Sequence, residues 1–467
     1  MSVDNKQITQ LGTMSIRRLL MQYAVPAIIA MTASSLYNMI DSIFIGQGVG
    51  AMAISGLALT FPLMNLAAAF GSLVGMGAST LISLRFGQRD YKSAQQILGN
   101  VVVLNCIIGG LFGLICFIFL DPILFFFGAS ENTIGYARDY MQIILAGNLI
   151  SHMFLGLNAI LRASGHPRRS MAATINAVLI NAVLDPIFIY GFDWGIRGAA
   201  IATIIAQVIS LAWQLHIFSD KKELLHFGRG IYRLQLKIVK NIFAIGMSPF
   251  CMNLAACLIV IFLNKGLKEY GGDLNVGAYG IVNRVAFVFV MIVMGINQGM
   301  QPIAGYNYGA REYGRVKEVL RLTIIGATIV TTIGFIIGQF LPYYAVSAFT
   351  TDKELIELSV VGMRITLSVF PIVGIQMVTS NFFQSIGMAS RAIFLSLSRQ
   401  LIFLLPCLIL LPIMLTRYTS LSGSWGVWAS MPISDFLATV LAVILLRGQL
   451  KRFGQEGSLQ EGQSAKS

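Results

Sequence analysis

The chain has 467 residues, of which 56% are hydrophobic and only 11% charged, with a net charge of +13. So few charges among so many apolar residues exclude an ordinary soluble globular domain and point to a chain solvated by lipid. The positive charge is scattered over short loops, as membrane topology requires, so no nucleic-acid partner is expected.

Crossing a bilayer takes about 20 apolar residues at 1.5 Å each, and twelve runs of that kind follow one another. The first six lie near residues 19–46, 54–84, 97–120, 136–161, 171–190 and 196–218. The second six lie near 242–263, 276–304, 320–344, 355–383, 393–415 and 425–446. The pattern predicts an all-α polytopic membrane protein with twelve transmembrane helices in two pseudo-symmetric six-helix bundles. Its expected parts are an N-lobe (1–218), a cytoplasmic linker (219–240), a C-lobe (241–447) and a polar tail (448–467) whose Gln/Gly/Ser-rich composition predicts disorder.

The N-terminus carries no cleavable signal pattern, since polar residues run to Arg18 and a full-length helix follows. Short loops rich in Lys and Arg stay in the cytoplasm. Arg85, Arg89 and Lys92 share one loop, Arg162, Arg168 and Arg169 another, and Arg311, Arg315, Lys317 and Arg321 a third, all of them even-numbered connections. The linker adds Lys221, Lys222, Arg229, Arg233, Lys237 and Lys240. Both termini are therefore expected in the cytoplasm, with the chain in a bacterial cytoplasmic membrane, its partner the lipid bilayer, as a monomer.

The two halves also repeat each other. Gly77 and the run Phe86-Gly87-Gln88-Arg89-Asp90-Tyr91 recur at a constant offset as Gly299 and Tyr308-Gly309-Ala310-Arg311-Glu312-Tyr313. Gly165 and Arg169 fall opposite Gly387 and Arg391 at the same offset. A duplicated half-chain in a membrane protein marks a transporter whose substrate path lies between two similar bundles.

No phosphate-binding loop and no zinc-ligand spacing occur, the four histidines are scattered, and the five cysteines sit singly in apolar runs as packing residues. An enzyme is therefore not expected, nor a cofactor, and an ion gradient must supply the drive. Ionisable groups within spans are costly and functional by default. Asp41 and Asp185 each lie about five residues, or about 8 Å, from the outer ends of the first and fifth spans, and Tyr140 and Thr203 reach a similar level. Asn181 precedes Asp185 by one helical turn, as Asn38 precedes Asp41. Carboxylates, an amide oxygen and a hydroxyl at one height make a hard-oxygen site for Na⁺, or for a proton shared between neighbouring carboxylates. Pro26, inside the first helix, is a candidate hinge. Arg284 and Asp435 lie at equal depth in the C-terminal half, about 14 to 17 Å below the outer ends of their spans, and are expected to form an ion pair.

The duplicated halves, the Gly-x-Arg-x-Tyr loops, Gln301-Pro302, Gly305-Tyr306-Asn307 and Leu184-Asp185-Pro186 resemble the multidrug and toxic compound extrusion (MATE) family over residues 19–446. Within it, the acidic pair of the first half resembles the DinF-like branch, which includes bacterial exporters of the MepA type. The resemblance implies two bundles that export lipophilic, often cationic small molecules in exchange for H⁺ or Na⁺. It maps a cation-coupling site onto Asp41, Asn181, Asp185 and Thr203, with Tyr140 and Asn158 in the surrounding network. By depth, Asn158 falls nearer the cytoplasmic end of its helix. Asn253 and Cys257 stand in the seventh span where the branch with a C-lobe ion site has an acid, which argues against a second ion site.

Substrate-cavity candidates are adaptable apolar groups with polar points among them: Met252, Asn253, Phe287, Met291, Gln298, Gln301, Asn381 and Gln384. A lipid-linked oligosaccharide or precursor flippase would need a basic cavity for diphosphate, which a lone Arg284 does not supply. An intramembrane enzyme acting on lipid phosphate would need a clustered acidic or histidine motif, and none is found.

Overall fold

The computed structural model describes residues 3–418 and 422–464; the side chains of residues 3–6, 38, 39, 51, 273 and 456–464 lie outside the description. Among the described residues every element is a helix. The first half contains α1 (Val3–Thr13), α2 (Ile16–Gly48), α3 (Ala51–Gly87), α4 (Tyr91–Ile118), α5 (Leu120–Phe126), α6 (Ile134–Ala146), α7 (Asn148–Ala163), α8 (Pro167–Pro186) and α9 (Gly195–Ser219). The second contains α10 (Leu236–Gly309), α11 (Tyr313–Phe340), α12 (Pro342–Ser347), α13 (Lys353–Thr366), α14 (Phe370–Ser385), α15 (Ala389–Leu397), α16 (Leu405–Tyr418) and α17 (Gly423–Ser464). Gly272, at φ 73°, turns the chain within α10 and divides it into spans Leu236–Gly272 and Leu274–Gly309. A positive φ there costs glycine nothing, since it has no Cβ.

Among the described residues ten helical segments are long and apolar enough to cross a membrane, and counting two bent pairs, α6 with α7 and α13 with α14, as one span each gives twelve in the expected order. Each pair bends by 56°, at Gly147 and between Thr366 and Phe370. The repeat thus extends to backbone geometry, and the turns agree as well. Arg89 (φ 59°) and Arg311 (φ 62°) are both left-handed, and Asp90 N bonds Arg85 O at 2.9 Å as Glu312 N bonds Asn307 O at 2.8 Å. Gly165 and Gly387 close α7 and α14 with the same pattern, His166 N to Leu161 O at 3.0 Å and Met388 N to Phe383 O at 2.8 Å. These are helix C-termini sealed by a left-handed residue.

The chain divides into two compact units. The first is residues up to Met14 with Val25–Asn253, and the second is Ser15–Ala24 with Leu254 onward. These units differ from the expected lobes 1–218 and 241–447, since each takes the start of the other half's first long helix. Small residues permit it. Within the first unit a methyl on Gly246 would overlap the Leu73 carbonyl, and one on Gly77 the Ile242 carbonyl. Within the second, a methyl on Gly299 would lie 2.6 Å from the Ala24 backbone.

The linker belongs to the first unit, held by Gln95 on the His226 carbonyl and by Asn100, which donates to Arg233 O at 3.2 Å and accepts from Gln235 N at 2.9 Å. The tail also departs from expectation. The expected tail begins at 448, whereas α17 runs on to Ser464. Gln449 accepts from Arg391, and the buried Phe453 ring stacks on Tyr313 at 5.1 Å and meets Phe382 at 6.5 Å. Burying that aromatic offsets the weak helix preference of Gly454 and Gly457.

Candidate functional site

In the first unit, α2, α6, α8 and α9 bring Asp41, Tyr140, Asn181, Asp185 and Thr203 together, all of them buried. Asn181 and Asp185 stand one turn apart on α8, so their side chains share a face, and Asn181 Nδ2 donates to Asp185 Oδ1 at 3.2 Å. The same nitrogen reaches Thr203 Oγ1 on α9 at 3.3 Å, while that hydroxyl donates back to Ala199 O at 3.1 Å. The Asp41 and Asp185 carboxyls and the Tyr140 hydroxyl lie close enough to influence one another electrostatically. After Pro186, which cannot donate to the turn behind it, the helix continues as a π-turn over Ile187–Gly191. Such turns recur beside functional sites in helices.

Tyr37 completes the group and was not foreseen. It lies one turn before Asp41 on α2, and its hydroxyl meets Thr203 Oγ1 at 2.8 Å. The spacing to Asp41 is the signal that could have found it. The Asn38 side chain, also expected near Asp41, lies outside the described residues.

Three oxygens, Asp41 Oδ1, Asn181 Oδ1 and Asp185 Oδ2, are buried without a hydrogen-bond partner among the described residues. Buried acceptors in this state are costly unless something supplies positive charge or a proton. All three of these unpartnered atoms are oxygens, which suit Na⁺ or H⁺ better than a softer transition metal. Asn158 sits apart from the carboxylates. Its Nδ2 donates to Thr174 Oγ1 at 2.9 Å, and its Oδ1 accepts from Ser170 Oγ at 2.8 Å, further along α8.

In the second unit the expected ion pair is different. Asp435 Oδ1 accepts from Arg399 Nε at 2.7 Å, and Arg284 is exposed. Equal depth did not make partners of Arg284 and Asp435 because depth leaves open which way each helix face points. Arg399 stands on a π-turn over Ser398–Leu404. The substrate candidates are divided as well. Met252 and Asn253 belong to the first unit, and Asn253 Nδ2 is taken by Pro249 O at 2.9 Å. Phe287, Met291, Gln298, Gln301, Asn381 and Gln384 belong to the second, where Phe287 is exposed while Gln301 and Gln384 are buried. Asn381 Nδ2 bonds Met377 O at 3.0 Å.

Comparison with known proteins places the chain in a family. The profile of the MatE family matches residues 26–187 and 244–409, one stretch in each half. Multidrug export protein MepA of Staphylococcus aureus is 27% identical over 434 residues, 92% of this chain and 94% of that protein. Its namesake in Staphylococcus haemolyticus is 26% identical over 444 residues, 95% of this chain and 96% of that protein. Among solved structures, a multidrug resistance MATE family transporter in an outward-facing conformation aligns with a TM-score of 0.88 at 24% identity, over 96% of this chain and 98% of its own. The chain belongs to the MatE family, whose members are multi-pass membrane transporters and not enzymes.

Proposed function

We propose that the protein is a secondary active multidrug antiporter, exporting lipophilic, often cationic compounds in exchange for H⁺ or Na⁺ by alternating access. The observation that carries this reading is the pair of buried carboxylates, Asp41 and Asp185, with unpartnered oxygens at membrane depth. Such groups are tolerated in spans where they bind and release an ion. Na⁺ and H⁺ compete for the same oxygens, so the site binds either one but not both together. The names of the staphylococcal relatives support export of drugs. The basic loops support a bacterial cytoplasmic membrane with both termini inside. The protein acts as a monomer, and Met252, Phe287, Met291, Gln298 and Asn381 contribute to substrate binding.

The test is ethidium efflux from cells and everted vesicles under an imposed pH or Na⁺ gradient. Asp41→Asn and Asp185→Asn are each expected to lower efflux at least about tenfold, the scale of one lost charge-assisted interaction, with membrane insertion unchanged. Wild-type efflux in both variants would refute the site. Pro26, in α2 beside the boundary between the units, is assigned as the hinge of the cycle. Pro26→Ala slows efflux on that assignment; unimpaired efflux reduces it to a packing feature.

A further inference from the structure

The polar side chains of the first unit do not stop at the carboxylates. On α8, Ser170, Thr174, Asn181 and Asp185 stand at spacings that share one helical face. On α9, Thr203, Gln207, Ser210 and Gln214 do the same. The two faces join where Asn181 meets Thr203 at 3.3 Å. Next along, Ser151 on α7 donates to Gln207 Oε1 at 2.5 Å. Further still, Asn158 on α7 holds Ser170 and Thr174, and Arg162 Nη1 donates to Ser170 Oγ at 3.2 Å. Three helices thus line one polar seam, about 16 Å long from Thr203 to Gln214 at 1.5 Å per residue.

Its far end is the telling part. Gln214 is wholly buried, and neither its amide nitrogen nor its oxygen has a partner among the described residues; the Ser210 hydroxyl is in the same state. Each such group costs roughly 1–3 kcal/mol if left dry, a cost that an apolar side chain of fitting size would not carry. Buried polar groups of this kind are satisfied by internal water. One turn beyond Gln214, a cavity of about 10 Å³ is lined by Leu161, Ser164, His166, Phe218 and Glu223, which is room for about one water. At this mouth Glu223 binds Arg169 and lies 3.4 Å from His166 Nε2. It stands on the face that carries the basic loops.

We propose that this seam is a hydrated path inside the first unit, along which the coupling cation passes between the Asp41–Asp185 site and the basic-loop face. The proposal rests on the reading of that site as the ion site, and it adds a route. Polar side chains and the waters between them replace the hydration that a cation would otherwise lose.

The test is the double variant Ser210→Ala with Gln214→Leu, which dries the seam without touching the ion site. It is expected to keep its thermal midpoint or gain a little, since unpaired polar groups are removed, and to bind ethidium with unchanged Kd. Gradient-driven efflux is expected to fall about tenfold, and Ser210→Ala with Gln214→Ser, which keeps polarity and leaves room for water, is expected to recover most of it. Efflux driven by a pH gradient and by a Na⁺ gradient is measured separately, and the arm that collapses identifies the ion carried. Efflux within twofold of wild type in the dried variant overturns the path. Equal losses in the dried and the Ser variants, accompanied by a lower midpoint, also overturn it and make the residues structural. Loss in Asp185→Asn without loss in the dried variant sinks the path alone, whereas wild-type efflux in both aspartate variants sinks the ion-site reading.

Discussion

Tyr37 tests how the candidate ion site is held. Its hydroxyl is the contact from α2 to Thr203, at 2.8 Å, while Asn181 reaches Thr203 from α8. A single hydrogen bond nets about 1 kcal/mol, close to a fivefold effect. Tyr37→Phe is therefore expected to raise the gradient or ion concentration needed for half-maximal efflux about fivefold while the protein stays folded. Thr203→Val also removes the acceptor for Asn181, so added to Tyr37→Phe it should cost less than it does alone but not nothing, and a double-mutant cycle on ion dependence measures the shared part. Asp41, Asp185, Asn181 and Thr203 were legible in the sequence because charges and amides at membrane depth are rare enough to be noticed. Tyr37 was not, because a tyrosine in an apolar helix reads as packing until the hydroxyl's partner is known. Asn158, expected by depth nearer the cytoplasmic end of its helix, bonds Ser170 and Thr174 rather than the carboxylates.

At the scale of elements, both π-turns adjoin a charge inside a span. One follows Asp185 and the other carries Arg399, whose partner Asp435 stands on α17. A π-turn adds a residue to the helical repeat and so rotates everything after it; Arg399 itself drew no notice in the sequence, where only Arg284 was matched with Asp435. Arg399→Leu leaves the Asp435 carboxylate, only 13% exposed, without its cation. Removing one partner of a buried pair costs about 3–5 kcal/mol, reduced here because the arginine is 34% exposed. The expected result is a lower thermal midpoint in detergent, with Arg399→Asp combined with Asp435→Arg recovering more than either single change. Equal midpoints for all variants would show that the pair contributes nothing. The succession of twelve spans followed from apolar length, but the 56° bends inside two of them did not, and neither did the helical tail. Its Gln/Gly/Ser composition predicts disorder, while Phe453 docks against Tyr308, Tyr313 and Phe382.

For the molecule as a whole, the exchange of helix starts follows from a repeat that stays true where backbones touch. Gly77 and Gly246 in the first unit correspond, by the constant offset, to Gly299 and Ala24 in the second. Small residues at such crossings let helices approach until van der Waals contact is made along the backbone, which is the main adhesive available in lipid. The duplication was legible, and so were its glycines. Their role was not, because composition cannot distinguish a glycine that admits a neighbouring carbonyl from one that faces open space. Gly280 is of the second kind, with nothing within 4 Å of an added methyl. The two kinds are expected to respond oppositely to the same change. Gly246→Ala drives a methyl into the Leu73 carbonyl, backbone that cannot rotate away, so about 1–3 kcal/mol of overpacking is expected. Gly280→Ala gains helix propensity of up to about 1 kcal/mol and meets no obstacle. Thermal midpoints in detergent should therefore fall for Gly246→Ala and for Gly299→Ala and hold or rise for Gly280→Ala. If Gly246→Ala matched Gly280→Ala, the close crossing would not be what holds residues 241–253 in the first unit. If it lowered the midpoint but Gly299→Ala did not, the two crossings would be mechanically unequal despite their shared sequence.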